Sequence, residues 1–158
     1  MTRIAVLACL VLALVRTGDV AADDSAAIAF EGAYLLIQDD NFQRILSLDR
    51  SGTITQVSDQ EPLLGFTAGL GAWQQTGPES VRARVIDFAY EVDGGKPIGP
   101  AMIIYDLTFS DLAAGKYQKV SGLYAGEQFA AGQDPLNPSE PPIRTFGIAF
   151  KGQRIAAE

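Results

Sequence analysis

Polar and apolar residues alternate along much of this chain, and little of it shows the three-to-four spacing of an amphipathic helix. Residues 42–58, FQRILSLDRSGTITQVS, alternate on either side of Asp49-Arg50-Ser51-Gly52. They predict two short strands around a tight turn, with Gly52 supplying the positive φ that the turn needs. Thr76-Gly77-Pro78 then separates LGAWQQ from SVRARVIDFAYEV, two further strands. DGGKPIG at 93–99 reads as a loop. PAMIIYDLTFS at 100–110, rich in β-branched and aromatic residues, reads as a strand, and DLAAGK as the next connection. YQKVSGLYAGEQF at 117–129 and IRTFGIAFKGQRI at 143–155 predict the last two strands. Between them AAGQDPLNPSEPP, 130–142, carries four prolines, a density that no strand or helix interior tolerates, and predicts an ordered loop or flap.

Seven or eight such strands over about 125 residues predict an all-β fold, a small antiparallel up-and-down β-barrel. Gly122, Gly126, Gly147 and Gly152 inside the last strands are expected to mark bends and bulges where the sheet coils. The chain is 158 residues long, with 47% hydrophobic and 20% charged residues. That suits one folded domain with a core of its own rather than a disordered chain.

The N-terminus is set apart from the barrel. MTRIAVLACLVLALVRTGDVAADD has a basic Arg3, an apolar run from Ile4 to Val15 and a small-residue stretch ending Val20-Ala21-Ala22. This is the form of a secretory signal peptide cleaved after Ala22, which makes residues 1–22 the signal, residues 23–158 the domain, and the protein secreted or periplasmic. Twelve apolar residues are short for a bilayer span. The stretch before Cys9 is short, and Leu7 large, for a lipoprotein signal. Cleavage after Ala22 would leave a domain with no cysteine, held by its core alone.

Two features narrow the chemistry. There is no histidine, which removes Ser-His-Asp and Cys-His catalysis and histidine-based metal sites. Acid–base work would fall to Asp, Glu, Tyr or Lys, and neither a cofactor nor a metal is expected. The chain also carries 12 basic against 19 acidic residues, net −7. Such a balance is repelled by phosphate backbones and anionic lipid surfaces, so neither nucleic acid nor, after signal cleavage, a membrane is an expected partner.

The succession LDRSGTIT, GAWQQTGP, SVRARVIDFAY, LTFS, VSGLYAGEQF and FGIAFKGQRI resembles a group of uncharacterised bacterial secreted barrels. In these a G-x-W-x-x-T-G-P turn follows a D-G-T hairpin and a G-x-R-[IF] strand ends the chain. They are likened to calycin-like and allene-oxide-cyclase/dirigent-type β-barrels. The hairpin here is Ser51-Gly52-Thr53 with Arg50 before it, which preserves the turn. The resemblance spans roughly residues 34–155 and implies a barrel. It carries over no catalytic residue.

Strand alternation sorts the candidate residues by face. On 100–110 the face of Ala101, Ile103, Tyr105, Leu107 and Phe109 is expected to point inward and Asp106 outward. On 80–92 either face can be interior. One carries Arg82, Arg84, Ile86, Phe88 and Tyr90; the other carries Val81, Ala83, Val85, Asp87 and Ala89, small and apolar but for Asp87. A lone aspartate on such a face either pairs with a buried arginine (Arg44, Arg144 or Arg154), the commoner arrangement, or acts as a base. Asp87 and Tyr105 are the catalytic candidates. Trp73, Arg84, Phe88, Tyr90 and Tyr124 are the ligand-binding candidates. Each has a plainer role open to it: a strand tyrosine usually packs with its hydroxyl at the rim, and Trp73, packed beside Phe66 and the 76–78 turn, is more readily a plug than a cavity wall. The reading that results is a barrel holding a small apolar or aromatic molecule. A cofactor-free cyclase, isomerase or lyase in the same cavity is the alternative, and a solid-core interaction protein using the 130–142 loop is a third. Any of the three could form a homo-oligomer.

Overall fold

The computed structural model describes residues 28–93 and 95–156. Eight antiparallel strands close into a barrel in simple sequence order: β1 (Gly32–Gln38), β2 (Gln43–Leu48), β3 (Thr53–Ser58), β4 (Gly69–Gly77), β5 (Ser80–Tyr90), β6 (Pro97–Ala113), β7 (Lys116–Gln128) and β8 (Arg144–Arg154). A four-residue helix, α1 (Glu61–Leu64), links β3 to β4 and begins with Pro62 in its first turn. The expected all-β barrel is the fold. The proposed signal, residues 1–22, lies outside the described residues.

Most strands fall where alternation places them, because each buries one face. Burial in β2 and β3 alternates residue by residue, with Arg44, Leu46, Leu48, Ile54 and Gln56 inside. The 49–52 turn has the expected form, Gly52 at φ +90° and its N–H donating to Asp49 O at 3.0 Å. The segment 93–99 departs from the expected loop. Pro97, Ile98 and Gly99 already belong to β6, which runs 17 residues to Ala113. The register with β5 shifts between Ala89 and Tyr90, and this irregularity accommodates the proline. Gly99 sits there at φ +145°, and a Cβ on it would run into the backbone carbonyl of Phe129. The glycines of β7 and β8 act otherwise than expected. Register passes unbroken through Gly122, Gly126, Gly147 and Gly152, so they mark no bulge and instead leave room for neighbours.

Closure depends on β1, which pairs with β2 on one side and β8 on the other, with Leu36 opposite Arg44 and Gly152. One end of the barrel is filled. Residues 28–30 are helical and insert Phe30 among Trp73, Phe109 and Tyr117, with ring centroids 5.0–6.1 Å apart. The plug is tied down by the Tyr34 hydroxyl donating to Phe30 O at 3.0 Å, and by Lys116 Nζ donating to Ile28 O at 2.7 Å and pairing with Glu31 at 2.9 Å. Such an aromatic cluster supplies much apolar burial in a narrow cross-section.

Candidate functional site

The opposite half of the barrel is where the apolar filling stops. Going up from the plug, the interior residues change from aromatic and aliphatic to Gln38, Arg44, Gln56 and Asp87, all buried. Above them opens a cavity of about 250 Å³, lined among others by Arg44, Asp87, Tyr124, Phe66, Phe146 and Ile148. Its lining also includes the buried Gln60 and Gln128 and the exposed Asp40 and Arg144. Gly65 ends α1 and accepts a hydrogen bond from Tyr90 N at 2.7 Å, which sets Phe66 against the β5 edge at the rim. Gly126 stands opposite Phe146 on β8, and a side chain there would occupy the space of the Phe146 ring.

Arg44 is the centre of the polar floor. It is only 4% exposed. Its Nη1 donates to Gln56 Oε1 and to the Tyr105 hydroxyl, each at 3.3 Å, and its Nη2 donates to Gln60 Oε1 at 3.4 Å and to the Tyr124 hydroxyl at 3.2 Å. The guanidinium carbon lies 4.5 Å from the Tyr124 ring centroid and 5.8 Å from that of Phe66, within cation–π range. Burial works against its charge, but Tyr105, Tyr124 and Asp87 favour it, and the pKa moves upward on balance. Arg44 therefore remains a cation at every accessible pH.

Asp87 belongs to the same network without touching the arginine. Gln56 stands between them: its Oε1 accepts from Arg44 and from the Tyr105 hydroxyl, and its Nε2 donates to Asp87 Oδ2 at 3.1 Å. Asp87 is 3% exposed. Burial pushes its carboxyl up to about 6; Arg44 opposes this and Glu61 adds to it. The direct ion pair with Arg44, Arg144 or Arg154 expected from the sequence is absent among the described residues, whose ion pairs are Arg82–Asp106, Lys116–Glu31 and Lys119–Asp111, all towards the surface. Gln56, on β3, stands between Arg44 and Asp87, Arg154 is held at the plugged end with Nε donating to Tyr117 O at 3.0 Å, and Arg144 is exposed. Tyr105 is pushed up to about 12 by burial and keeps its proton, and burial raises Tyr124 as well. The Tyr124 hydroxyl donates to Gln38 Oε1 at 2.9 Å.

The structure thus brings together Asp87, Tyr105 and Tyr124. It separates the other candidates from them. Trp73 faces inward but at the plugged end, 8% exposed, with Nε1 donating to Asp49 O at 2.9 Å, so it is part of the filling rather than a wall of the cavity. The inward face of β5 is that of Val81, Ala83, Val85 and Asp87, which turns Arg84, Phe88 and Tyr90 to the other side. Phe88, 61% exposed, borders a shallow outer groove of about 430 Å³ under the 130–142 loop, together with Leu136 and Pro135. That groove is larger than the inner cavity but gathers no buried titratable group, and the inner cavity is the better site. Sequence reasoning passed over Gln38, Gln56, Gln60 and Phe146, considered Arg44 only as a partner for Asp87, and set Phe66 beside Trp73, whereas Trp73 packs on Phe30 and Phe66 lines the open cavity. A signal existed for two of these: Arg44 and Gln56 fall in phase with the apolar faces of QRILSL and TITQVS.

Comparison with protein-family models, with curated proteins and with solved structures finds no match for the chain.

Proposed function

We propose that this protein is a small-molecule-binding barrel whose ligand occupies the open half of the interior. The observation that carries the reading is the contrast between the two ends: one filled by Phe30 and its aromatic neighbours, the other left open over a cluster of polar side chains. A cavity with apolar walls and a few convergent polar groups is the usual makeup of a ligand site, and about 250 Å³ suits a small ligand. An extracytoplasmic location follows from the signal-like N-terminus. The closed eight-stranded architecture is in keeping with the calycin-like and allene-oxide-cyclase/dirigent-type resemblance. Native mass spectrometry of protein isolated from its own source tests the reading. A small-molecule adduct, one per chain, is expected, and it should be lost in Ile148→Trp, which enlarges a wall residue into the cavity. An adduct retained undiminished in that variant would place the ligand elsewhere.

One observation favours a second reading, a cofactor-free cyclase, isomerase or lyase. Asp87, with its pKa near 6, lines the cavity, and Oδ1 has no hydrogen bond among the described residues. Such a carboxylate can take a proton near neutral pH, while Arg44, which lines the cavity with it, stabilises charge developing on a substrate oxygen. Tyr105 lies buried beneath, its hydroxyl on Gln56, and acts only through that network. Turnover abolished in Asp87→Asn with ligand affinity retained would distinguish this reading from simple binding.

A further inference from the structure

The floor of the cavity holds a guanidinium with no carboxylate in direct contact; the interior carboxylate, Asp87, acts on it only across Gln56. Buried charges in proteins are ordinarily paired, because an unpaired one bears the full cost of leaving water. Arg44 is buried and permanently cationic, yet no carboxylate lies within ion-pair distance of it among the described residues. Its four hydrogen bonds all go to neutral oxygens, at 3.2–3.4 Å. Charge-assisted bonds from a guanidinium usually close to about 2.7–2.9 Å. Its Nε, also buried, has no hydrogen-bond partner among the described residues. The arginine is held in place, but no charged acceptor touches its fork.

The surroundings say what would neutralise it. Asp87, the interior carboxylate, reaches Arg44 only through Gln56. The cavity above Arg44 is walled by Phe66, Ile98, Ala101, Phe146 and Ile148, with a second guanidinium, Arg144, at the mouth. Two carboxylates, Asp87 within and Asp40 at the rim, repel any anion and a doubly charged group about twice as strongly as a monoanion. Resting on the proposed small-molecule reading, we infer that the ligand is a small amphiphilic carboxylic acid. It is bound as the monoanion, its carboxylate on the Arg44 fork and its apolar body along the Phe66–Phe146–Ile148 walls. A planar guanidinium matches a carboxylate through two parallel N–H bonds, and the neutral glutamine and tyrosine oxygens now facing it are the weaker acceptors that a carboxylate would displace.

The test is a matched pair of probes, 3-phenylpropionate and its neutral isostere 3-phenylpropanamide, titrated calorimetrically at pH 7.5 into the full-length wild-type protein and into Arg44→Met. The wild type should bind the carboxylate at least about tenfold more tightly than the amide. In Arg44→Met that preference should fall to about unity, the fold of the variant being checked by circular dichroism. Equal affinities in the wild type, or a preference for the amide, would overturn the anion inference and leave the cavity reading standing. Failure of both probes to bind the wild type at millimolar concentration would overturn both. The wild-type comparison decides the matter even if Arg44→Met does not fold.

Discussion

Replacing Asp87 by asparagine should make the barrel more stable at neutral pH, and the gain should disappear in acid. Burial raises the Asp87 carboxyl from 3.8 to about 6. At about 1.4 kcal/mol for each tenfold change, this rise of about 2.2 is worth about 3 kcal/mol between the protonated and ionised forms. Between these two pH values the folded barrel keeps a proton that the unfolded chain has lost. Asp87 therefore lowers stability progressively as pH climbs from about 4 to about 6, and the deficit is complete above that. Asparagine has no proton to lose, and its amide oxygen can still accept from Gln56 Nε2, the bond Asp87 makes now. The cavity admits solvent, which relieves part of the penalty, so a gain of about 2 kcal/mol is expected at pH 7.5. Urea unfolding of both proteins at half-unit intervals from pH 4 to pH 8 measures it, since shared acid effects cancel in the difference. A stability gap that stays constant with pH would refute the placement of Asp87 as a buried, ion-pair-free carboxylate. A gap that grows in favour of the wild type above pH 6 would show instead that ionised Asp87 is stabilised by Arg44.

Three other outcomes follow from the geometry. Binding of 3-phenylpropionate near Asp87 should raise its pKa further, so titrations near pH 6.5 in buffers of different ionisation enthalpy should show net proton uptake; uptake of zero would separate the bound anion from Asp87. Phe30→Ala should cost about 3–5 kcal/mol in urea unfolding, because the ring fills the closed end, while probe affinity at the other end stays within about twofold; a large loss of affinity would mean the two ends are not independent. Gly99→Ala should lower Tm sharply through its positive φ and the Phe129 carbonyl, and an unchanged Tm would contradict the backbone described for β6.

How far the sequence shows this fold depends on how many faces each strand buries. β2, β3 and the central part of β6 read clearly because one face is buried and the other wet. β1 did not stand out: Leu35, Leu36 and Ile37 put apolar residues on both faces, which erases the alternation of the strand that closes the barrel. The start of β6 was hidden by Pro97 and the glycines before it, since the bulge that admits a proline depends on pairing with β5. The site was partly legible. Asp87 and Tyr105 each stand out on an apolar face, but β5 taken alone does not say which of its faces is inside. That is decided by Leu70, Ile86 and Met102 lying side by side on the outer wall once β4, β5 and β6 pair. Arg44 was among the partners open to Asp87, but the bridge between them was beyond reach, because Gln56 comes between them only once the barrel closes.

The most direct test is an amide NMR titration of the isotopically labelled protein with 3-phenylpropionate, read residue by residue. Shifts should concentrate on Arg44, Ala89, Ala101, Gly147 and Ile148 around the open end and leave the plug residues Phe30, Trp73 and Phe109 unmoved. Shifts confined to Phe88, Leu136 and the outer groove, or no shifts at millimolar probe, would contradict a ligand site inside the barrel.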